Sequence, residues 1–153
     1  MNFKNLLTLT IRARDFNLLP QYPSLVKQLR KLTLHPYSGL NREMDTLFKL
    51  MEKRPVKAQV LLAYRDGSLV GWALLSQERS DMVFSHSWKR FEPEDGMLIE
   101  IYVDPDYRRH GIGTELMKVA RRKAGVRRLC VAPWDTGSRD FYSSFPTYNT
   151  RWM

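Results

Sequence analysis

The stretch from Glu100 to Glu115, EIYVDPDYRRHGIGTE, limits what this chain can fold into more than any other. A β-rich run ends at Asp104-Pro105, a basic turn follows, and Gly111 and Gly113 open an amphipathic helix. A strand that feeds a glycine-bearing turn into a helix N-terminus presents unpaired backbone N–H groups and the positive end of the helix dipole. Such a turn is a cradle for an anion, and phosphate suits it. The segment also constrains topology, because a strand, a helix and a second strand in succession join as parallel neighbours through a crossover.

The remaining elements follow from periodicity and punctuation. Leu7, Leu9 and Ile11 alternate with Thr8, Thr10 and Arg12, which predicts a first strand with one buried face. Pro20 and Pro23 mark its exit, and Ser24 is placed to cap a helix over 24–35, with Leu25, Leu29 and Leu32 on one face and His35-Pro36 as its stop. A second helix is expected to start behind Asn41 and end before Pro55. Its stripe of Met44, Leu47, Phe48 and Met51 reads as core.

Val56–Tyr64 and Leu69–Ser76 are apolar strand-like runs joined by Arg65-Asp66-Gly67-Ser68, and Asp-Gly suits the positive-φ turn of a hairpin. Gly71 within the second run signals a bulge, a close backbone approach or packing under a helix. The irregular segment 77–96, with Phe84, Trp88 and Phe91, reads either as a loop for partner or substrate contact or as an extended hairpin.

Met97–Val103 is the fourth strand. The helix from Gly111 to about Ala124 turns Ile112, Leu116, Val119 and Ala120 inward and Glu115, Lys118, Arg121 and Arg122 outward, with Gly125 as its stop. Arg128–Ala132 supplies a fifth strand, a short helix spans about Ser138 to Ser144, and Tyr148–Trp152 makes a last strand. The expected fold is therefore α/β, a central mixed β-sheet flanked by helices in the order β-α-α-β-β-β-α-β-α-β, as one domain over residues 1–153.

Composition removes several function classes. With 153 residues and 43% hydrophobic content the chain buries a sizeable core, and a single Cys130 rules out an intrachain disulfide framework. His35, His86 and His110 are too scattered for a zinc spacing, so no metal is expected, and Cys130 reads as a small buried hydrophobe. The N-terminus lacks signal-peptide character and no run is long enough for a bilayer, so a reducing, cytoplasmic setting without membrane contact is expected. The formal charge of +9 predicts attraction to polyanions: nucleic acid, an anionic surface or a phosphate-rich cofactor.

Three glycine-turn motifs compete for the opening stretch. A Walker loop needs a GK[ST] ending, and Gly113 is followed by Thr114-Glu115. A dinucleotide fingerprint needs a third glycine where Leu116 stands, in an early βαβ unit. What remains is RxxGxG, Arg108-Arg109-His110-Gly111-Ile112-Gly113, preceded by Ile101-Tyr102-Val103 and Asp104-Pro105-Asp106-Tyr107. This resembles the acetyl-CoA signature of the GNAT superfamily of N-acetyltransferases. The order of the other elements resembles that family over most of the chain.

The resemblance implies acetyl-CoA as cofactor and a primary amine, on a protein or a small molecule, as acceptor. It implies that Arg108, Arg109, His110, Gly111, Ile112, Gly113 and Thr114 hold the pyrophosphate. Ile101, Tyr102 and Val103 would line the pantetheine arm where the fourth strand splays from the fifth, with a backbone N–H near Val103 polarising the acetyl carbonyl. Tyr142 corresponds to the family's tyrosine that protonates the departing thiolate, with simple helix packing as its competing role.

An amine attacks only when neutral, so some carboxylate or water chain takes its proton. Glu100 matches the glutamate that many relatives use on this strand, with substrate orientation or pairing to an arginine as the alternative. Asp104 reads as a turn residue. Around Tyr142 the chain departs from the family, with Asp135, Ser138 and Pro146-Thr147 at positions where other residues are usual.

Dimers are common in the family, which makes a homodimer an expectation here. The basic groups Lys118-Arg121-Arg122-Lys123 and Arg127-Arg128 read as a solvated face near the cofactor's phosphates. The competing function is a non-enzymatic module of the same fold that binds a protein or nucleic acid through its basic face and the 77–96 loop.

Overall fold

Apolar runs as continuous as those at 58–65 and 68–76 need cover on both faces of the sheet they build. The computed structural model describes residues 9–34, 40–78, 96–124, 129–131, 141 and 148–149, with the backbone alone at 96–100, 124, 129–131 and 148–149. Its sheet holds β1 (Leu9–Asp15), β2 (Ala58–Arg65), β3 (Ser68–Ser76), β4 (Gly96–Val103), β5 (Leu129–Val131) and β6 (Tyr148–Asn149), side by side in chain order. The first four strands pair antiparallel, whereas β5 runs parallel to β4, and β6 parallel to β5. The helices are α1 (Pro23–Leu32), α2 (Leu40–Met51) and α3 (Ile112–Ala124), with 3-10 turns at Phe16–Gln21 and Pro105–Tyr107.

Alternate residues of the central strands serve two cores. Val60, Leu62, Trp72 and Leu74 pack with Leu29 of α1, with Leu40, Met44 and Leu47 of α2, and with Phe16 and Leu19 of the first 3-10 turn. Leu61, Ala63, Ala73 and Leu75 pack on the opposite face with Ile112, Leu116, Met117, Val119 and Ala120 of α3. The expected inward and outward residues of α3 are placed as predicted, and so is the core stripe of α2. Asp66 and Gly67 take φ of 51° and 82° in the two-residue turn between the paired Arg65 and Ser68, as Asp-Gly implied.

Several boundaries differ from expectation. The first helix ends at Leu32 instead of 35, because Thr33 leaves helical geometry and its hydroxyl donates to Leu29 O at 2.8 Å. Asn41 does not precede the second helix but lies inside it. Its side chain closes the previous helix instead: the amide donates to the carbonyls of Arg30 and Thr33, and its oxygen accepts from the Thr33 hydroxyl at 3.0 Å. A helix C-terminus leaves carbonyls without partners, and Asn41 satisfies two of them from the next helix. The first strand runs on to Asp15, past the alternation that announced it.

The end of β3 is fastened separately. Glu78 accepts two hydrogen bonds from the Arg54 guanidinium, at 3.1 and 2.7 Å, and a third from the backbone N–H of Lys57 at 2.7 Å. Arg54 before all else holds its carboxyl below the usual range. The expected stop at Gly125, residues 79–95 of the aromatic loop, and the last helix apart from Phe141 lie outside the described residues. So do the side chain of Cys130 and residues 150–152 of the last strand. Among the described residues no helix is long and apolar enough to cross a membrane.

Candidate active site

The site grows from the end of β4. Leu98 lies opposite Leu75 and Glu100 opposite Leu74, so Ile99 is an extra residue that makes a bulge against β3. On its other edge β4 pairs with β5 only at Gly96, Met97 and Leu98. From Glu100 to Val103 that edge has no strand partner among the described residues. Among the described residues the pairing of β5 with β4 thus stops short of the bulge, and a strand edge without a partner has backbone donors and acceptors that a ligand can use.

Beyond Val103 the chain is turned by its own side chains. Asp104 Oδ1 accepts from the Asp106 N–H at 2.9 Å, and Tyr107 N donates to Asp104 O at 2.8 Å, with Pro105 at the first helical position. Asp104 is thus the turn residue expected of it. Arg108 is extended, Arg109 has φ 66° and Gly111 has φ 80°, so two left-handed residues flank His110. Alternating conformations of this kind curl successive N–H groups into an anion-binding concavity.

The first backbone bond of α3 runs from Glu115 N to Gly111 O at 3.0 Å. Hence the N–H groups of Ile112, Gly113 and Thr114 have no acceptor within the helix. Ile112 contributes only its backbone to this surface, since its side chain is buried against α3's own core. An acetyl-CoA pyrophosphate fits the donor set, which is a ring of backbone N–H groups with arginine beside it.

The two arginines differ in what they do. Arg108 turns back, its Nε donating to Val103 O at 3.0 Å while its guanidinium lies 5.5 Å from the centre of the Tyr102 ring. One donor of Arg108 is therefore spent on the strand that sequence reasoning assigned to the cofactor, and the Val103 carbonyl is already engaged. Arg109 is exposed on the cradle's rim. Ile101 and Val103 pack toward the α3 core, and Tyr102 packs on the opposite face, across from Trp72.

Glu100 is described by its backbone alone, opposite Leu74 at the bulge. Tyr142 lies outside the described residues. Its neighbour Phe141 packs in the α3 core, and a Cβ built on Gly113 would meet the Phe141 ring at 3.4 Å. That places position 141 next to the cradle.

Two residues were missed by sequence reasoning. Arg65, treated there as part of a hairpin turn, reaches His110 with Nη1 2.8 Å from Nδ1 and lies 5.6 Å from the centre of the Tyr107 ring. Glu43 is buried in α2 at 2% exposure, and its Oε2 has no hydrogen-bond partner among the described residues. Its spacing from Leu40 and Leu47 already put it on the apolar stripe, which was the available signal.

Burial pushes the Glu43 carboxyl up to about 7, against the opposing pull of Arg42. The unfolded chain loses this proton near the ordinary carboxyl value of 4.5 while the folded protein keeps it to about 7, so stability falls as pH rises across that window. Glu43→Gln is expected to be more stable than the parent at pH 8 by roughly 1–3 kcal/mol, with the gap closing in acid. Urea unfolding at a series of pH values checks it.

A mixed sheet covered by helices on both faces, with a bulged strand leading into a basic nest at the start of a helix, makes this an α/β protein with an anion cradle. The Acetyltransferase (GNAT) family model matches residues 26–145, and the chain belongs to that family. It is an N-acetyltransferase, and its cofactor is acetyl-CoA.

The fold is also that of an aminoglycoside acetyltransferase, meta-AAC0020, from an uncultured soil metagenomic sample. That match has 19% identity over 90% of this chain and 86% of the other, with TM-score 0.57. A ribosomal-protein-alanine N-acetyltransferase from Brucella melitensis biovar Abortus 2308 matches at 21% identity over 91% and 92%, with TM-score 0.55. The aminoglycoside N-acetyltransferase AAC(6')-Iy, in complex with CoA, matches at 16% identity over 95% and 91%, with TM-score 0.60. No curated protein sequence matches the chain.

Proposed function

We propose that this protein transfers the acetyl group directly to a primary amine while donor and acceptor are bound together. The observation that carries the reading is the union of the 108–114 nest with the edge of β4 that has no strand partner among the described residues, two surfaces that a nucleotide thioester must touch at once. Acetyl-CoA, when bound, supplies an acetyl group activated as a thioester.

The residues divide the work as follows. Backbone N–H groups of Gly111, Ile112, Gly113 and Thr114, with Arg109 and the remaining donors of Arg108, hold the pyrophosphate. The backbone of Ile101, Tyr102 and Val103 orients the pantetheine arm, and the Val103 N–H is the proposed donor to the acetyl carbonyl. Glu100, at the bulge, takes the proton that the amine must lose before it attacks. Tyr142 gives a proton to the departing sulfur, a role supported by the contact of its neighbour Phe141 with the cradle.

Charge narrows the acceptor. With 25 basic against 16 acidic residues the chain repels polycations at long range. That favours an amine on a neutral or acidic carrier, a protein N-terminus or lysine among them, over a polycationic small molecule such as the aminoglycosides in the names of two of the similar structures.

The test is acetyl-CoA calorimetry together with transfer rates over a panel of primary amines, for the parent chain and Tyr142→Phe. The substitution is expected to leave affinity within about twofold and to lower kcat at least about tenfold, as for loss of a general acid. Binding without transfer, indifferent to the substitution, would instead indicate the non-enzymatic module that binds through the exposed Lys118, Arg121, Arg122 and Lys123. No binding at all would remove the cofactor assignment.

A further inference from the structure

We propose that Arg65 fixes the proton of His110 on Nε2, so that the imidazole adds a side-chain N–H donor to the anion cradle. This rests on reading residues 108–114 as the cofactor's phosphate site.

The argument starts from donor chemistry. Arg65 Nη1 lies 2.8 Å from His110 Nδ1. A guanidinium carries only N–H donors, so Nδ1 is the acceptor of this bond. A neutral imidazole that accepts at Nδ1 carries its single proton on Nε2. The contact thus selects one of two tautomers, and the one selected offers a donor at the far nitrogen.

Arg65 is well placed to impose this choice. It is the last residue of β2, in register with Leu9 on one side and Ser68 on the other, and the tight Asp66-Gly67 turn follows it at once. Its guanidinium lies 5.6 Å from the centre of the Tyr107 ring, an arrangement in which the aromatic face attracts the cation. Tyr107 is itself held by its bond to Asp104 O. Two separate backbone turns therefore fix the two ends of the contact.

His110 has a matching position. It stands between the left-handed residues Arg109 and Gly111, so its ring springs from the backbone of the concavity. It is half-buried, which restricts its motion. A ring free to choose would spend part of its time presenting a lone pair to the phosphate, which repels. Arg65 is accordingly a positioning residue, acting on the cofactor through His110.

The experiment uses Arg65→Met, Arg65→Lys, His110→Ala and the double variant Arg65→Met/His110→Ala. Nitrogen-15 shifts of the His110 ring, recorded across a pH series up to about 8.5, report the tautomer. Calorimetry with CoA reports affinity. The parent is expected to show the Nε2–H form, and Arg65→Met to mix the tautomers and weaken CoA by up to about twofold, in proportion to the fraction that keeps the donor, whereas His110→Ala removes the donor and costs about tenfold or more. Arg65→Lys, which retains a donor, is expected to restore the tautomer and most of the affinity.

In the double variant, Arg65→Met is expected to add no measurable loss to His110→Ala, because the two act through one bond. An Nδ1–H parent, or additive losses in the double variant, overturns the proposal, the second by showing that Arg65 acts through its charge alone. The Lys variant keeps the test open if the Met variant does not fold. If the parent fails to bind CoA, the phosphate reading falls and the donor's role falls with it. A wrong tautomer with normal CoA binding overturns Arg65 alone.

Discussion

Gly111→Val is expected to raise the dissociation constant for acetyl-CoA by a factor on the order of a hundred, while the protein still folds. Gly111 has φ 80°, a region that costs an L-residue about 1–2 kcal/mol, and more when the side chain is β-branched. If the backbone relaxes out of that region, the N–H groups on either side cease to converge on one anion. If it stays, the valine side chain occupies the concavity. Either outcome removes more than one donor, and each ~1.4 kcal/mol lost is a tenfold loss of affinity. Calorimetry measures the affinity and urea unfolding the fold, with an expected stability loss of about 1–3 kcal/mol.

The largest effect on stability is expected from Gly71→Ala, a loss of about 2–4 kcal/mol in urea unfolding. A Cβ at this position would stand 2.8 Å from the Tyr102 carbonyl oxygen and 3.4 Å from Val103 Cα. Both atoms are backbone, so no rotamer change relieves the clash and β3 must move away from β4. Affinity for acetyl-CoA is expected to fall in the same variant, because the displaced residues are those proposed to line the pantetheine arm. A Gly71→Ala protein as stable as the parent would show that the strands separate without cost.

These two glycines also show how much the sequence discloses. Gly71 signals a bulge, a close backbone approach or packing under a helix, and the first two are both present: Val70 is an extra residue in β3 opposite β2, and a Cβ on Gly71 would meet Tyr102 O at 2.8 Å. The Asp-Gly hairpin, the core stripe of α2 and the inward face of α3 were legible because each is a local pattern tied to a local geometry. The cradle was legible for the same reason, since its donors are consecutive in the chain.

What escaped depends on distance in sequence. Nothing near Arg65 points to His110, which lies 45 residues away. Asn41 reads as a helix start by residue type, yet its partners are the carbonyls at the end of α1. The Ile99 bulge is a property of the pairing between β3 and β4 and has no signature in either strand by itself. Phe16 and Leu19 are wholly buried in a short 3-10 turn that contains Pro20 and is too brief to show a helical period.

The bond from Arg108 Nε to Val103 O has a consequence for the timing of order. It ties the turn back to the strand that precedes it, so the conformational entropy of the 104–110 segment is lost when the protein folds and not when a ligand arrives. A site ordered in advance keeps more of its interaction energy as affinity. Its association rate is then set by diffusion and by the attraction between a phosphate and this basic corner. It should therefore decline as salt is raised, without a slow conformational phase.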